Sequence, residues 1–74
     1  MKVTVYSTDT CQYCSMAKRY LESKNVAYQE INVSADRASA DDMVRKSGQR
    51  GVPVIDIDGN IIVGFDKARI DSFL

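Results

Sequence analysis

Cys11 and Cys14 are separated only by Gln12 and Tyr13, and they stand where a short alternating apolar run gives way to a helical pattern. Two thiols at this spacing can close a small ring and reopen it by thiol exchange, so the junction is read first as a redox centre at a strand-to-helix turn. Three plainer explanations compete. A structural zinc site takes four nitrogen or sulfur ligands, whereas the chain has two cysteines and no histidine; one chain cannot complete the set, which leaves a metal shared between two chains as the main competitor. A structural staple is weak here, because a loop this short contributes only about 2 kcal/mol in the chain-entropy treatment. Coincidence of two buried apolar cysteines would leave the flanking pattern unexplained.

The flanks define the fold. Val3-Thr4-Val5-Tyr6 alternates β-branched and aromatic residues, and Ser7-Thr8-Asp9-Thr10 breaks the alternation with turn and cap formers. A helix is expected from near Cys11 to near Lys24-Asn25, with Met16, Ala17, Tyr20 and Leu21 as its apolar stripe and Lys18, Arg19, Glu22 and Lys24 on the other face. Val26 to Val33 reads as a second strand, parallel to the first through a crossover helix. Ser39 followed by Asp42 resembles a capping box, opening a helix that closes at Gly48. Val54-Ile55-Asp56-Ile57 and Ile61-Ile62-Val63 flank Asp58-Gly59-Asn60, the clearest hairpin signal in the chain. A last helix follows Gly64, with Ala68, Ile70, Phe73 and Leu74 as its apolar side. The expected architecture is a four-stranded mixed sheet with three helices on its faces, in the order β-α-β-α-β-β-α.

Seventy-four residues at 45% apolar composition make one small domain over residues 1–74, a size that buries only about 60% of its unfolded surface. There is no room for a separate substrate domain. Ten basic and ten acidic residues cancel without long runs of either sign, which argues against nucleic acid and anionic membranes as partners. Met1-Lys2-Val3-Thr4 enters strand-like sequence without the apolar core of a signal peptide. No stretch approaches the roughly 20 apolar residues of a membrane span. A cytoplasmic setting is therefore expected, where a cysteine pair is more often catalytic than structural.

The element order, Thr10-Cys11-Gln12-Tyr13-Cys14 at the first junction, Gly51-Val52-Pro53 before the third strand and Gly64-Phe65-Asp66 after the fourth together resemble the glutaredoxin family, essentially end to end. The Gly64-Phe65 turn is equally similar to the small redoxin that serves ribonucleotide reductase and draws electrons from thioredoxin reductase. The resemblance implies a thioredoxin-like fold and a thiol-disulfide oxidoreductase, with glutathione as cosubstrate and no metal. Its implied partners are glutathione and disulfide-containing or glutathionylated proteins. Two further functions follow from the same likeness: a redoxin reduced by thioredoxin reductase, or a dimeric carrier of an iron-sulfur cluster.

Each motif then acquires an expected role. A thiolate attacks and a thiol does not, and an ordinary cysteine of pKa about 8.5 is mostly protonated at neutral pH. Cys11 at a helix N-terminus faces unpaired N–H groups and the positive end of the dipole, worth typically ~0.3 to 1 kcal/mol and at best ~2. Direct hydrogen bonds from the Tyr13 and Cys14 amides and from the Cys14 thiol are expected to add to this. Cys11 is accordingly expected to be the nucleophile and Cys14, within the first turn, the shielded resolving thiol. Pro53 taken alone reads as a trans proline opening an edge strand; the resemblance implies instead a cis peptide facing the redox pair, with the Val52 backbone offered to an extended ligand. Gly64, Phe65 and Asp66 would hold a carboxylate and the ammonium of a γ-glutamyl group, the plain alternative for Asp66 being an ordinary N-cap. Tyr13 is either a rim aromatic of the groove or part of the helix packing stripe. Glutaredoxins often carry a lysine before the motif and a proline within it, where this chain has Thr8 and Gln12. Arg50 and Lys18 are the candidate replacements for that cation.

Overall fold

The computed structural model describes residues 1–74, built as β1 (Val3–Ser7), α1 (Gln12–Ser23), β2 (Gln29–Asn32), α2 (Arg37–Ser47), β3 (Val54–Ile57), β4 (Asn60–Val63) and α3 (Lys67–Phe73). The four strands form one sheet in the order β2-β1-β3-β4. β1 pairs in parallel with β2, Tyr6 opposite Ile31, and antiparallel with β3, Val5 opposite Ile55. β3 and β4 form the antiparallel hairpin, Ile55 opposite Ile62.

Every residue of β1 is buried, as a central strand covered on both faces requires. Its alternation sorts side chains between two cores. Val3 and Val5 join Ile55, Ile57 and Ile62 under Ala17 and Leu21 of α1 and Ile70 of α3. Tyr6 and Val54 face the other way, against Met43 of α2. Polar contacts also fasten α2 to this second face: the Tyr6 hydroxyl donates to Asp42 at 3.1 Å, and Lys46 Nζ donates to the same hydroxyl at 2.9 Å and to Asp56 at 3.3 Å. The Tyr6 hydroxyl, with Asp56 and Asp42 behind it, holds the Lys46 ammonium above its ordinary range.

Local chemistry sets the boundaries. Asp58 and Gly59 both take positive φ, 52° and 91°, as a two-residue hairpin loop of the primed type demands. At the end of α1, Asn25 has φ 58°; its N–H donates to the Glu22 carbonyl and that of Val26 to the Leu21 carbonyl, each at 3.0 Å. This is a Schellman closure. It explains why β2 is shorter than the Val26–Val33 run of the sequence: Val26 is spent on closing the helix.

Three other expectations are corrected. α2 is capped by Asp36 and not by Ser39: Asp36 Oδ1 accepts from the Ala38 N–H at 3.1 Å and Oδ2 from the Ser39 hydroxyl at 2.7 Å, which holds the Asp36 carboxyl below its usual range. An aspartate three residues upstream captures the helix start and leaves Ser39 as its partner. The buried stripe of α1 is Cys14, Ala17 and Leu21, while Met16 keeps 37% of its surface exposed. In α3 only Ile70 is buried; Ala68 and Leu74 are exposed, because two turns of helix present one narrow face to the sheet. No helix is long and apolar enough to cross a membrane.

Candidate active site

β1 delivers the chain to the start of α1, where Cys11 is the N-cap with extended φ and ψ of −99° and 109°. Cys11 and Cys14 are joined in a disulfide whose Cα atoms lie 5.2 Å apart. The Cys14 N–H donates to Cys11 Sγ at 3.1 Å, so this sulfur occupies the position of an N-cap acceptor. Of the two amides expected to reach it, that of Cys14 does so and that of Tyr13 does not. No acidic residue lies in the first turn of α1, so nothing there opposes negative charge on Cys11. The two sulfurs differ in environment: Cys11 is half-buried, whereas Cys14 is 1% exposed. Tyr13 is 63% exposed and takes no part in the packing of α1.

The loop before β3 carries a cis peptide between Val52 and Pro53. Pro53 is buried, and its carbonyl accepts from the Gly64 N–H at 2.8 Å, which ties this loop to the turn after β4. The Val52 N–H and carbonyl have no hydrogen-bond partner in the protein. Upstream, the Gln49 side chain clasps Gly51 by donating to its carbonyl at 3.0 Å and accepting from its N–H at 2.5 Å. Sequence reasoning passed over Gln49; a side-chain amide two residues before a glycine carries no motif.

Gly64 takes φ 84° at the turn. Phe65 follows, half-buried, packed edge to face on Tyr20 with centroids 5.9 Å apart. Asp66 is the N-cap of α3, its Oδ1 accepting from the Arg69 N–H at 3.2 Å. Its Oδ2 makes no hydrogen bond, and the residue is exposed.

The two cations considered as replacements for a lysine before the motif separate clearly. Lys18 is committed to Glu30, donating to Oε2 at 2.7 Å, and the buried Ser7 hydroxyl donates to the same oxygen at 2.8 Å. The Lys18 hydrogen bond, then that of Ser7, holds the Glu30 carboxyl below its ordinary range. Arg50 is exposed, forms no ion pair and leads into the Val52-Pro53 loop.

A four-stranded sheet of this order, with a disulfide closing the first turn of the helix after β1, defines a thioredoxin-like redox protein. Solved structures share the fold: the thioredoxin-like protein BC3987 superimposes with a TM-score of 0.91 at 29% identity, over 97% of this chain and 99% of that one. The NrdH-redoxin of Escherichia coli, described as glutaredoxin-like with a thioredoxin-like activity profile, gives 0.89 at 27% identity, over 100% and 96%. The glutaredoxin family model matches residues 3–62. A glutaredoxin-like 8.6 kDa protein encoded in a rubredoxin operon of Clostridium pasteurianum is 50% identical over 72 residues, covering 97% of this chain and 96% of its own. Glutaredoxin 3 of Escherichia coli K12 is 41% identical over 64 residues, covering 86% and 77%. The chain belongs to the glutaredoxin family and is a thiol-disulfide oxidoreductase with Cys11–Cys14 as its redox pair.

Proposed function

We propose that the protein reduces protein disulfides and glutathione mixed disulfides through Cys11, with glutathione as electron donor. The observation that carries this reading is the asymmetry of the pair: one sulfur at the helix cap, within reach of solvent and of a backbone N–H, and the other enclosed. The Cys11 thiolate attacks one sulfur of the substrate disulfide, and the other leaves as a thiolate that takes up a proton. Cys14 then loses its proton and attacks Cys11 Sγ. That releases the second substrate thiol and closes the Cys11–Cys14 disulfide, so two electrons have passed to the substrate. Two glutathione thiols reopen the ring and leave as one glutathione disulfide.

The proposed seat for glutathione is the Val52-Pro53 loop and the Gly64-Phe65-Asp66 turn, which the Pro53 carbonyl and Gly64 N–H tie together. The extended backbone of glutathione would bond to the unpartnered N–H and carbonyl of Val52. Its γ-glutamyl ammonium would meet the free Oδ2 of Asp66, and Arg50 and Tyr13 would stand at its edge. A second reading, reduction by thioredoxin reductase, is favoured by the likeness to NrdH-redoxin over nearly the whole of both chains. The two are separated by reducing the oxidised protein with glutathione and, in parallel, with thioredoxin reductase and NADPH. Reduction by glutathione well ahead of the enzyme is the expected result; rapid reduction by the enzyme with inert behaviour toward glutathione would replace the first reading by the second.

A further inference from the structure

Gln12, Met16, Arg19 and Tyr20 of α1 face Phe65 and Lys67, from the turn and start of α3, across an open groove of about 500 Å³. Its apolar lining is formed by the edge-to-face Tyr20 and Phe65 rings and the exposed Met16. Its rim is cationic. Lys67 Nζ lies 5.6 Å from the Tyr20 ring centroid and 5.8 Å from that of Phe65, and Arg19 is exposed on the α1 side. Neither cation has an ion-pair partner, since the ion pairs of the protein use Lys18, Arg45 and Lys46. No carboxylate lines the groove; the nearby Asp71 accepts the Tyr20 hydroxyl and Asp66 caps α3. The charged side chains that line the groove itself are therefore both cations, Arg19 and Lys67. The groove also opens one residue from the redox pair, because Gln12 follows Cys11.

We propose that this groove docks the segment flanking the disulfide of a protein substrate, and that the segment carries an apolar side chain between acidic ones. The apolar side chain covers the Tyr20 and Phe65 rings, and the carboxylates approach Arg19 and Lys67. Opposite charge at such a rim mainly steers and orients the partner. The assignment rests on the exchange chemistry proposed for Cys11 and names a substrate class for it.

The test begins with binding and needs no redox step. The oxidised protein is titrated with a blocked, cysteine-free peptide carrying Glu-Leu-Glu, and with its Gln-Leu-Gln counterpart, while backbone amide resonances are followed by NMR. Shifts are expected to concentrate at Gln12, Met16, Tyr20, Phe65 and Lys67, with the acidic peptide bound about three- to tenfold more tightly at low salt, the scale of two exposed ion pairs. Combining Arg19→Glu with Lys67→Glu should abolish that preference, and Lys67→Gln alone should reduce it, the dispersion of the spectra reporting that both variants fold. Equal affinities for the two peptides, shifts centred elsewhere, or an intact preference in the charge-reversed variant would overturn the proposal. Hydroxyethyl disulfide, too small to span the groove, should be reduced at the same rate by parent and variants. A parent protein inert toward it would refute the exchange chemistry itself, and with it the substrate role of the groove, whatever the titration shows.

Discussion

Asp66 caps α3 and is proposed to hold the glutathione ammonium, and replacing it in two ways should separate the two roles. Its Oδ1 caps α3 by accepting the Arg69 N–H, while Oδ2 makes no hydrogen bond. Asparagine caps as well as aspartate, whereas alanine loses the cap at a cost of about 0.5 to 2 kcal/mol. For a domain of 74 residues each kcal/mol corresponds to roughly 4 to 8 °C in Tm, so Asp66→Ala should melt several degrees lower and Asp66→Asn close to the parent. Both variants lose the negative charge. A charge-assisted hydrogen bond to the γ-glutamyl ammonium is worth ~1.5 to 3 kcal/mol and an exposed ion pair ~0.2 to 1, so the KM for glutathione should rise about fivefold to a hundredfold in both. Reduction of hydroxyethyl disulfide coupled to glutathione reductase and NADPH measures KM, and differential scanning calorimetry measures Tm. An Asp66→Asn variant with the parent KM would show that Asp66 is a helix cap and nothing more.

Two further outcomes follow from the same geometry. Asp36→Ala should cost about 0.5 to 2 kcal/mol in urea unfolding and Ser39→Ala less, because Asp36 accepts the Ala38 amide and Ser39 only braces it; the reverse order would return the cap of α2 to Ser39. Glu30 is held below its ordinary pKa of 4.5 by Lys18 and Ser7, so its ionised form favours the folded state. Its contribution is present above 4.5 and is lost as the pH falls below it. The carboxylate is 41% exposed, which limits the pair to about 0.2 to 1 kcal/mol. Glu30→Gln should therefore be less stable than the parent at neutral pH and match it in acid, and parallel pH-stability curves for the two proteins would contradict the role given to Lys18 and Ser7.

The elements that local chemistry dictates were legible in the chain. Asp58-Gly59 marked the hairpin because few other residues accept two consecutive positive φ values, and Gly48, at φ 75°, marked the end of α2 for the same reason. Boundaries failed where two residues could do one job. Asp36 and Ser39 are both cap formers, and only the path of the chain decides between them. Val26 suits a strand, yet Asn25 in the left-handed region draws it into the helix closure. At the site, the cysteine spacing and its place before a helix were readable from residues alone. The cis Val52-Pro53 peptide came only through the family resemblance, since sequence statistics favour trans. The Gln49 clasp is local but follows no motif, whereas the Ser7-Glu30-Lys18 cluster and the cationic groove depend on residues brought together from separate elements, which no local pattern announces.

The division of labour between the two sulfurs is decided by reacting the reduced Cys11→Ser and Cys14→Ser variants with oxidised glutathione and following intact mass with time. Cys14→Ser should gain one glutathionyl group rapidly at Cys11, the sulfur at the helix cap. Cys11→Ser should react far more slowly, its remaining sulfur being 1% exposed in the folded protein. Equal rates in the two variants, or faster modification of Cys14, would contradict the assignment of Cys11 as nucleophile.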